Sequence, residues 1–204
     1  MSEIYALSDD ALTPPQTIFS QIDEILRCGV KLVQYRSKLA VRDEALIRSL
    51  IGLCEDYGAK LIINDDAALA KKLGAHGVHI GEGDGETAQV REFLGADKII
   101  GVSCYAGLAR ARQAETQGAS YVAFGSLRRG KTKPDAPLCP DALVQEARKS
   151  LNLPIAVIGG ISLENLNEIL ALKPDYIAMV EAIYKPASIT QNLANLKEKM
   201  DEYI

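Results

Sequence analysis

The chain has 204 residues, enough for one domain with a sizeable core, and 48% hydrophobic with 25% charged content is ordinary for a soluble globular protein. A formal charge of −4, few aromatics and no Trp argue against a nucleic-acid or membrane-surface partner. No apolar run approaches the roughly 20 residues of a membrane span, and the opening MSEIYALSDD lacks the basic start and apolar core of a signal peptide.

Short apolar runs alternate with longer amphipathic ones from residue 3 onward. Ile4 to Leu7 reads as a strand ending at Ser8-Asp9-Asp10. Pro14 and Pro15 open a helix to about Arg27, since proline is tolerated in a first turn, and Gly29 ends it. Val30 to Tyr35 is a second strand. Arg36-Ser37-Lys38 and a helix to about Tyr57 follow, closed by Gly58. Lys60 to Ile63, a helix from Ala67 to Leu73, and Gly77 to Ile80 come next. Then follow a helix from Thr87 to Leu94, a strand from Lys98 to Val102, a helix from Ala106 to Gln117 and a strand from Tyr121 to Phe124. A long loop, GSLRRGKTKPDAPLCP, leads to a helix from Asp141 to about Lys149. Pro154 to Ile158 is the seventh strand. Ser162 is placed to cap a helix to Leu172. Tyr176 to Val180 is the eighth strand, and a helix over roughly Ile189 to Tyr203 completes the pattern.

Eight strands alternating with helices, without a linker or low-complexity segment, indicate a single-domain (β/α)8 TIM barrel over residues 1–204. The near-continuous apolar runs suit parallel strands buried on both faces. A doubly wound open sheet is the alternative. Its dinucleotide-binding version is weakened because no G-x-G-x-x-G follows the first strand.

The chemistry gathers at the carboxyl ends of the strands, the face on which barrels build active sites. Asn64-Asp65-Asp66 follows the third strand, and Gly81-Glu82-Gly83-Asp84 follows the fourth. Each alone is also good turn chemistry. Together, at successive strand ends, Asp65 and Asp84 suit a hard divalent cation such as Mg2+, which takes oxygen ligands and keeps waters for a phosphate to replace. Strand alternation puts Gln34 and Arg36 on one face, with Lys38 beyond them, an arrangement that asks for an anionic partner. The loop after the sixth strand holds Arg128, Arg129, Lys131, Thr132 and Lys133, which fits a lid over phosphates or an ordinary solvated loop. Gly159-Gly160 before a helix lets backbone approach a phosphate where barrel phosphate sites recur. Ser103 ends the fifth strand at the same mouth. Cys28, Cys54, Cys104 and Cys139 are scattered without disulfide or zinc spacing, which indicates reduced thiols in a cytoplasmic protein. His79 reads as a packed strand residue rather than a ligand.

These stretches carry a resemblance. VQYRSK (33–38), LIINDD (61–66), GVHIGEGD (77–84), IIGVSCY (99–105), YVAFG…KTKP (121–134) and AVIGGI (156–161), in this order, resemble thiamine-phosphate synthase over nearly the whole chain. The resemblance implies a transferase that joins hydroxymethylpyrimidine diphosphate to a thiazole phosphate, releasing thiamine phosphate and diphosphate by dissociative, Mg2+-assisted loss of the diphosphate. By similarity Gln34, Arg36, Lys38, Asn64 and Ser103 hold the pyrimidine diphosphate. Asp65 and Asp84 bind Mg2+, Lys133 meets the diphosphate, and Thr132 with the Gly160 backbone holds the thiazole phosphate. Arg36, Lys38, Ser103 and Lys133 stand nearest the reacting groups. The partners implied are these small molecules, with no nucleic acid and no membrane, and a homo-oligomer is compatible.

Departures from the family pattern fall mostly on the thiazole side. Gly130 stands where a Thr or Ser is usual, Glu181 where many members carry Ser, Asp66 for a frequent Arg and Tyr105 for a common His. Arg128 and Arg129 replace commonly aromatic or apolar residues and are candidates to compensate for Gly130. Two alternatives follow: an isomerase like the thiazole tautomerase relatives, which do not need the carboxylates and use a His near Tyr105, and a phosphate-binding protein without activity.

Overall fold

A computed structural model describes residues 2–130 and 137–203 of the chain. Eight parallel strands close into a barrel in sequence order: β1 (Glu3–Leu7), β2 (Leu32–Tyr35), β3 (Lys60–Asn64), β4 (Gly77–Ile80), β5 (Ile99–Tyr105), β6 (Tyr121–Phe124), β7 (Ile155–Ile158) and β8 (Tyr176–Met179). β1 closes the ring by pairing with both β2 and β8. The helices are α1 (Ile18–Arg27), α2 (Glu44–Asp56), α3 (Ala67–Leu73), α4 (Thr87–Leu94), α5 (Leu108–Thr116), α6 (Asp141–Ser150), α7 (Leu166–Leu170), α8 (Glu181–Tyr184) and α9 (Ile189–Glu202). The (β/α)8 barrel read from the sequence is the architecture observed.

Side-chain parity divides the apolar residues into two cores. Tyr5, Leu7, Leu32, Ile62, Tyr121, Ala123, Ala156 and Ala178 fill the barrel lumen. Their neighbours Ala6, Val33, Leu61, Ile63, Val122 and Val157 face the helices. The longer helices answer with an apolar stripe at a period of 3.6 residues: α1 buries Ile18, Ile22, Ile25 and Leu26. Burying such a side chain fully is worth about 1.5–3 kcal/mol. The lumen makes room for its large tyrosines with small residues opposite. A Cβ added at Gly101 would lie 2.0 Å from Tyr121 Cζ.

The differences from the sequence reading have local causes. α1 starts at Ile18, not at the prolines, because Pro15 disfavours helical geometry at Pro14; the Pro14 carbonyl accepts from Thr17 and Ile18 in a turn. Ser162 does not cap α7. Its hydroxyl donates to the Glu164 carboxylate, while Asn165 bonds Ser162 N and Gly160 O and folds 160–165 into a turn before the helix begins. β5 runs on to Tyr105 through an irregularity between Ser103 and Tyr105. The short α8 has no counterpart in the sequence reading. Tertiary contacts support it: Asn192 of α9 donates to the Ile183 carbonyl at 3.0 Å.

Candidate active site at the barrel mouth

The two metal-candidate carboxylates emerge at the same rim. β3 and β4 pair through Asn64 opposite His79, and Asp65 N donates one step further to the His79 carbonyl at 2.8 Å. Asp65 then adopts φ +66°, a left-handed conformation that Asp and Asn tolerate better than most residues. Asp84 returns its carboxylate to the end of β4, where Oδ2 accepts the Gly81 N–H at 2.7 Å. Lys38 reaches over from the loop after β2, and its Nζ lies 2.6 Å from Asp65 Oδ2. The Lys38 amide is itself held by Asp10 Oδ2 at 2.7 Å. Among the described residues no group of three or more His, Cys, Asp or Glu side chains gathers as a ready-made metal cage. Two oxygen donors on neighbouring strand ends nevertheless match a cation that keeps several waters or takes substrate oxygens.

The anion-site candidates separate into anchored and outward-facing groups. Gln34 is 2% exposed, and its Nε2 donates to the Tyr5 hydroxyl at 2.8 Å inside the lumen. Arg36 is held at the rim: its amide donates to Ser8 Oγ at 2.8 Å, and its guanidinium lies 3.7 Å from the Asp9 carboxylate. Asn64 and Ser103 are half-buried at the ends of their strands. Asp66, next to the candidate ligand Asp65, does different work. It caps α3 through Leu69 N at 2.8 Å and pairs with Arg42 at 3.0 Å.

On the opposite side of the mouth, backbone packs against backbone. A Cβ on Gly160 would meet the Arg128 and Arg129 carbonyl oxygens at 2.7 Å, at a φ of +58°. The turn after β7 is therefore seated directly against the segment after β6, which is why glycine is required there. Arg128 does not stand in for the hydroxyl missing at Gly130. Its guanidinium is bidentate to Asp141 at 2.8 and 2.9 Å and reaches Glu168 at 3.0 Å, so it staples the loop to α6 and α7. These carboxylates hold its pKa well above the usual arginine value. Thr132 and Lys133, with Lys131, lie outside the described residues. Tyr105, at φ +53°, directs its hydroxyl to the Glu82 amide at 3.3 Å, over the loop that carries Asp84.

A row of polar side chains in the lumen was not anticipated beyond Gln34. Tyr5, Tyr121 and His79 form it, and Tyr121 makes edge contacts with Tyr5 and Tyr176 while His79 stacks on it. The available signal was parity. Tyr5, Tyr121 and Tyr176 occupy inward strand positions, and a buried Gln34 requires a partner. Burial lowers the His79 pKa to about 4, so the ring is neutral near pH 7. Burial also raises the Tyr5 and Tyr121 hydroxyls above the ordinary phenol range. All four cysteines are free. Cys54, Cys104 and Cys139 are buried and Cys28 is half-buried. Burial pushes the Cys54 and Cys104 thiols up to about 12, which removes them as nucleophiles. No helix among the described residues is long and apolar enough to cross a membrane.

Comparison with known proteins places this arrangement. The TMP-TENI family model, described as thiamine monophosphate synthase, matches residues 4–183. The thiamine-phosphate synthase of Nitrosococcus oceani is 44% identical over 188 residues, 91% of this chain and 87% of that one. That of Thioalkalivibrio sulfidiphilus is 41% identical over 183 residues, 89% of this chain and 87% of that one. Among solved structures, thiamine phosphate pyrophosphorylase from Pyrococcus furiosus matches with a TM-score of 0.88 at 27% identity, covering 99% of this chain and 96% of the other. A 3-hexulose-6-phosphate synthase, at 16% identity and a TM-score of 0.75, shares the fold alone. With its closed barrel and a family match spanning most of its length, the chain belongs to the thiamine monophosphate synthase family.

Proposed function

We propose that this chain is a cytoplasmic thiamine-phosphate synthase acting as one barrel domain. It joins hydroxymethylpyrimidine diphosphate to a thiazole phosphate and releases thiamine phosphate and diphosphate. The observation that carries the reading is Lys38 on Asp65 at 2.6 Å, at the strand end next to the loop bearing Asp84, within a chain of this family. Gln34 and Asn64 orient the pyrimidine. Arg36 and Lys38 bring positive charge to the diphosphate, with Ser103 beside it. Thr132, Lys133 and the Gly160 backbone complete the phosphate contacts. Asp65 and Asp84 would hold Mg2+, which when bound would supply charge neutralisation for the leaving diphosphate.

The chemistry asks for little acid–base work, which agrees with neutral His79 and the raised thiols. A departing diphosphate concentrates negative charge, and preorganised cations lower that barrier without reorganising at the moment of reaction. Holding both reactants in line contributes up to roughly 7–11 kcal/mol. Asp65 and Asp84 favour this transfer over an isomerisation that makes no use of them. The deciding experiment incubates both substrates with and without Mg2+ and follows thiamine phosphate. Metal-dependent product is expected, and its absence under both conditions refutes the transferase.

A further inference from the structure

Two tyrosines, a glutamine and a histidine share the barrel lumen, where hydrocarbon would pack as well. Gln34 Nε2 donates to Tyr5 OH at 2.8 Å, the Tyr5 and Tyr121 hydroxyls are 2.9 Å apart, and Tyr121 OH is 2.9 Å from His79 Nδ1. The row crosses the lumen from β2 through β1 and β6 to β4. Tyr5 and Tyr121 are each at most 2% exposed, so bulk water offers their hydroxyls no other partner.

With the Gln34 NH2 on Tyr5, donor counting gives the row one direction. A phenol carries a single proton. Tyr5 already receives from Gln34. If it also received from Tyr121, its own proton would be left without an acceptor in a dry site, which is penalised. Tyr5 therefore donates to Tyr121, and Tyr121 donates to His79 Nδ1. The histidine is thereby held as the tautomer protonated on Nε2. Inverting the amide at one end would require all three bonds to reverse and the proton of His79 to change nitrogens.

We infer that Tyr5, Tyr121 and His79 are positioning residues that lock the Gln34 amide in one of its two flips. The NH2 group is committed to Tyr5, so the carbonyl oxygen is the atom offered to a ligand. The pocket then selects a heteroaromatic ring that presents an N–H donor and disfavours one that presents an acceptor there. This deepens the pyrimidine diphosphate assignment proposed above and rests on it for the identity of the ring.

Two measurements test it on the full chain. Nitrogen NMR of the His79 ring, without substrate, is expected to show Nδ1 bare and Nε2 protonated in the wild type, with the tautomers mixing in Tyr121→Phe. A protonated Nδ1 in the wild type overturns the direction of the row. Calorimetry with hydroxymethylpyrimidine diphosphate is expected to show binding weakened about ten-fold in Tyr121→Phe and in His79→Leu, with the double variant no worse than either single one. His79→Asn, which keeps an acceptor near the Nδ1 position, stays within about two-fold, and thiazole phosphate binding is unchanged in every variant. Additive losses, equal losses for both substrates, or His79→Asn as weak as His79→Leu refute the positioning role. A wild type that fails to make thiamine phosphate refutes the proposed reaction alone, because the tautomer is read without turnover.

Discussion

The two rim carboxylates illustrate how much a single residue carries. Asp84 has two tasks, charge and a turn hydrogen bond to Gly81. Asn keeps the second and loses the first. Asp84→Asn is expected to lower turnover by on the order of 10²-fold or more while thermal unfolding shifts by no more than about 2–4 °C; steady-state kinetics and a melting curve on one sample check both. Asp65 holds its carboxylate from a left-handed backbone. Asp65→Asn tolerates that conformation, whereas Asp65→Val is expected to lose about 1–2 kcal/mol of stability, measured by urea unfolding with an unchanged slope. The residue types at these positions were legible because turn chemistry and metal chemistry both select Asp. The Lys38 contact was not, since it crosses between loops 27 residues apart. Nor was the purely structural work of Arg128, whose partners Asp141 and Glu168 sit on two helices after the loop.

At the scale of elements, periodicity served well wherever an element is bounded by its own residues. α3, α4, β4 and β6 start and stop where the apolar pattern, Gly74 and the adjoining polar residues indicate. It served poorly where tertiary contacts choose the boundary, as in the short α7 and in α8. The Asp43 cap of α2 accepts from both Ala45 and Leu46, so Asp43→Ala is expected to cost about 1 kcal/mol, read from the urea midpoint. The lumen is less forgiving. Gly101→Ala drives a methyl into the Tyr121 ring and is expected to cost about 1–3 kcal/mol or more, with weaker pyrimidine diphosphate binding if Tyr121 is displaced. Denaturation and calorimetry on that variant separate the two effects.

For the whole molecule, pH acts through two histidines with lowered pKa, His79 in the lumen and His76 far from the mouth. His76 Nδ1 accepts the Leu61 N–H at 3.1 Å. Burial, then Lys60 and Lys98, lower its pKa below 6.5 and outweigh Glu55, which lies 3.9 Å away. The unfolded chain therefore binds a proton first as pH falls past 6.5, and folding free energy declines from there until the folded histidine titrates. His76→Asn, which retains an acceptor for Leu61, is expected to lessen this slope between pH 7.5 and 5 and to leave the share that His79 contributes, measured by urea unfolding at each pH. The barrel's closure has a separate consequence for handling the protein. β1 is the seam, with Glu3 N on the Asp175 carbonyl and Ser2 Oγ on that of Pro174. It enters from the floor, on the side away from the carboxylates. A carrier or surface tether joined ahead of Ser2 would hang beneath the molecule and leave substrate access open, whereas trimming residues 3–7 would expose two unpaired strand edges and invite the protein to aggregate.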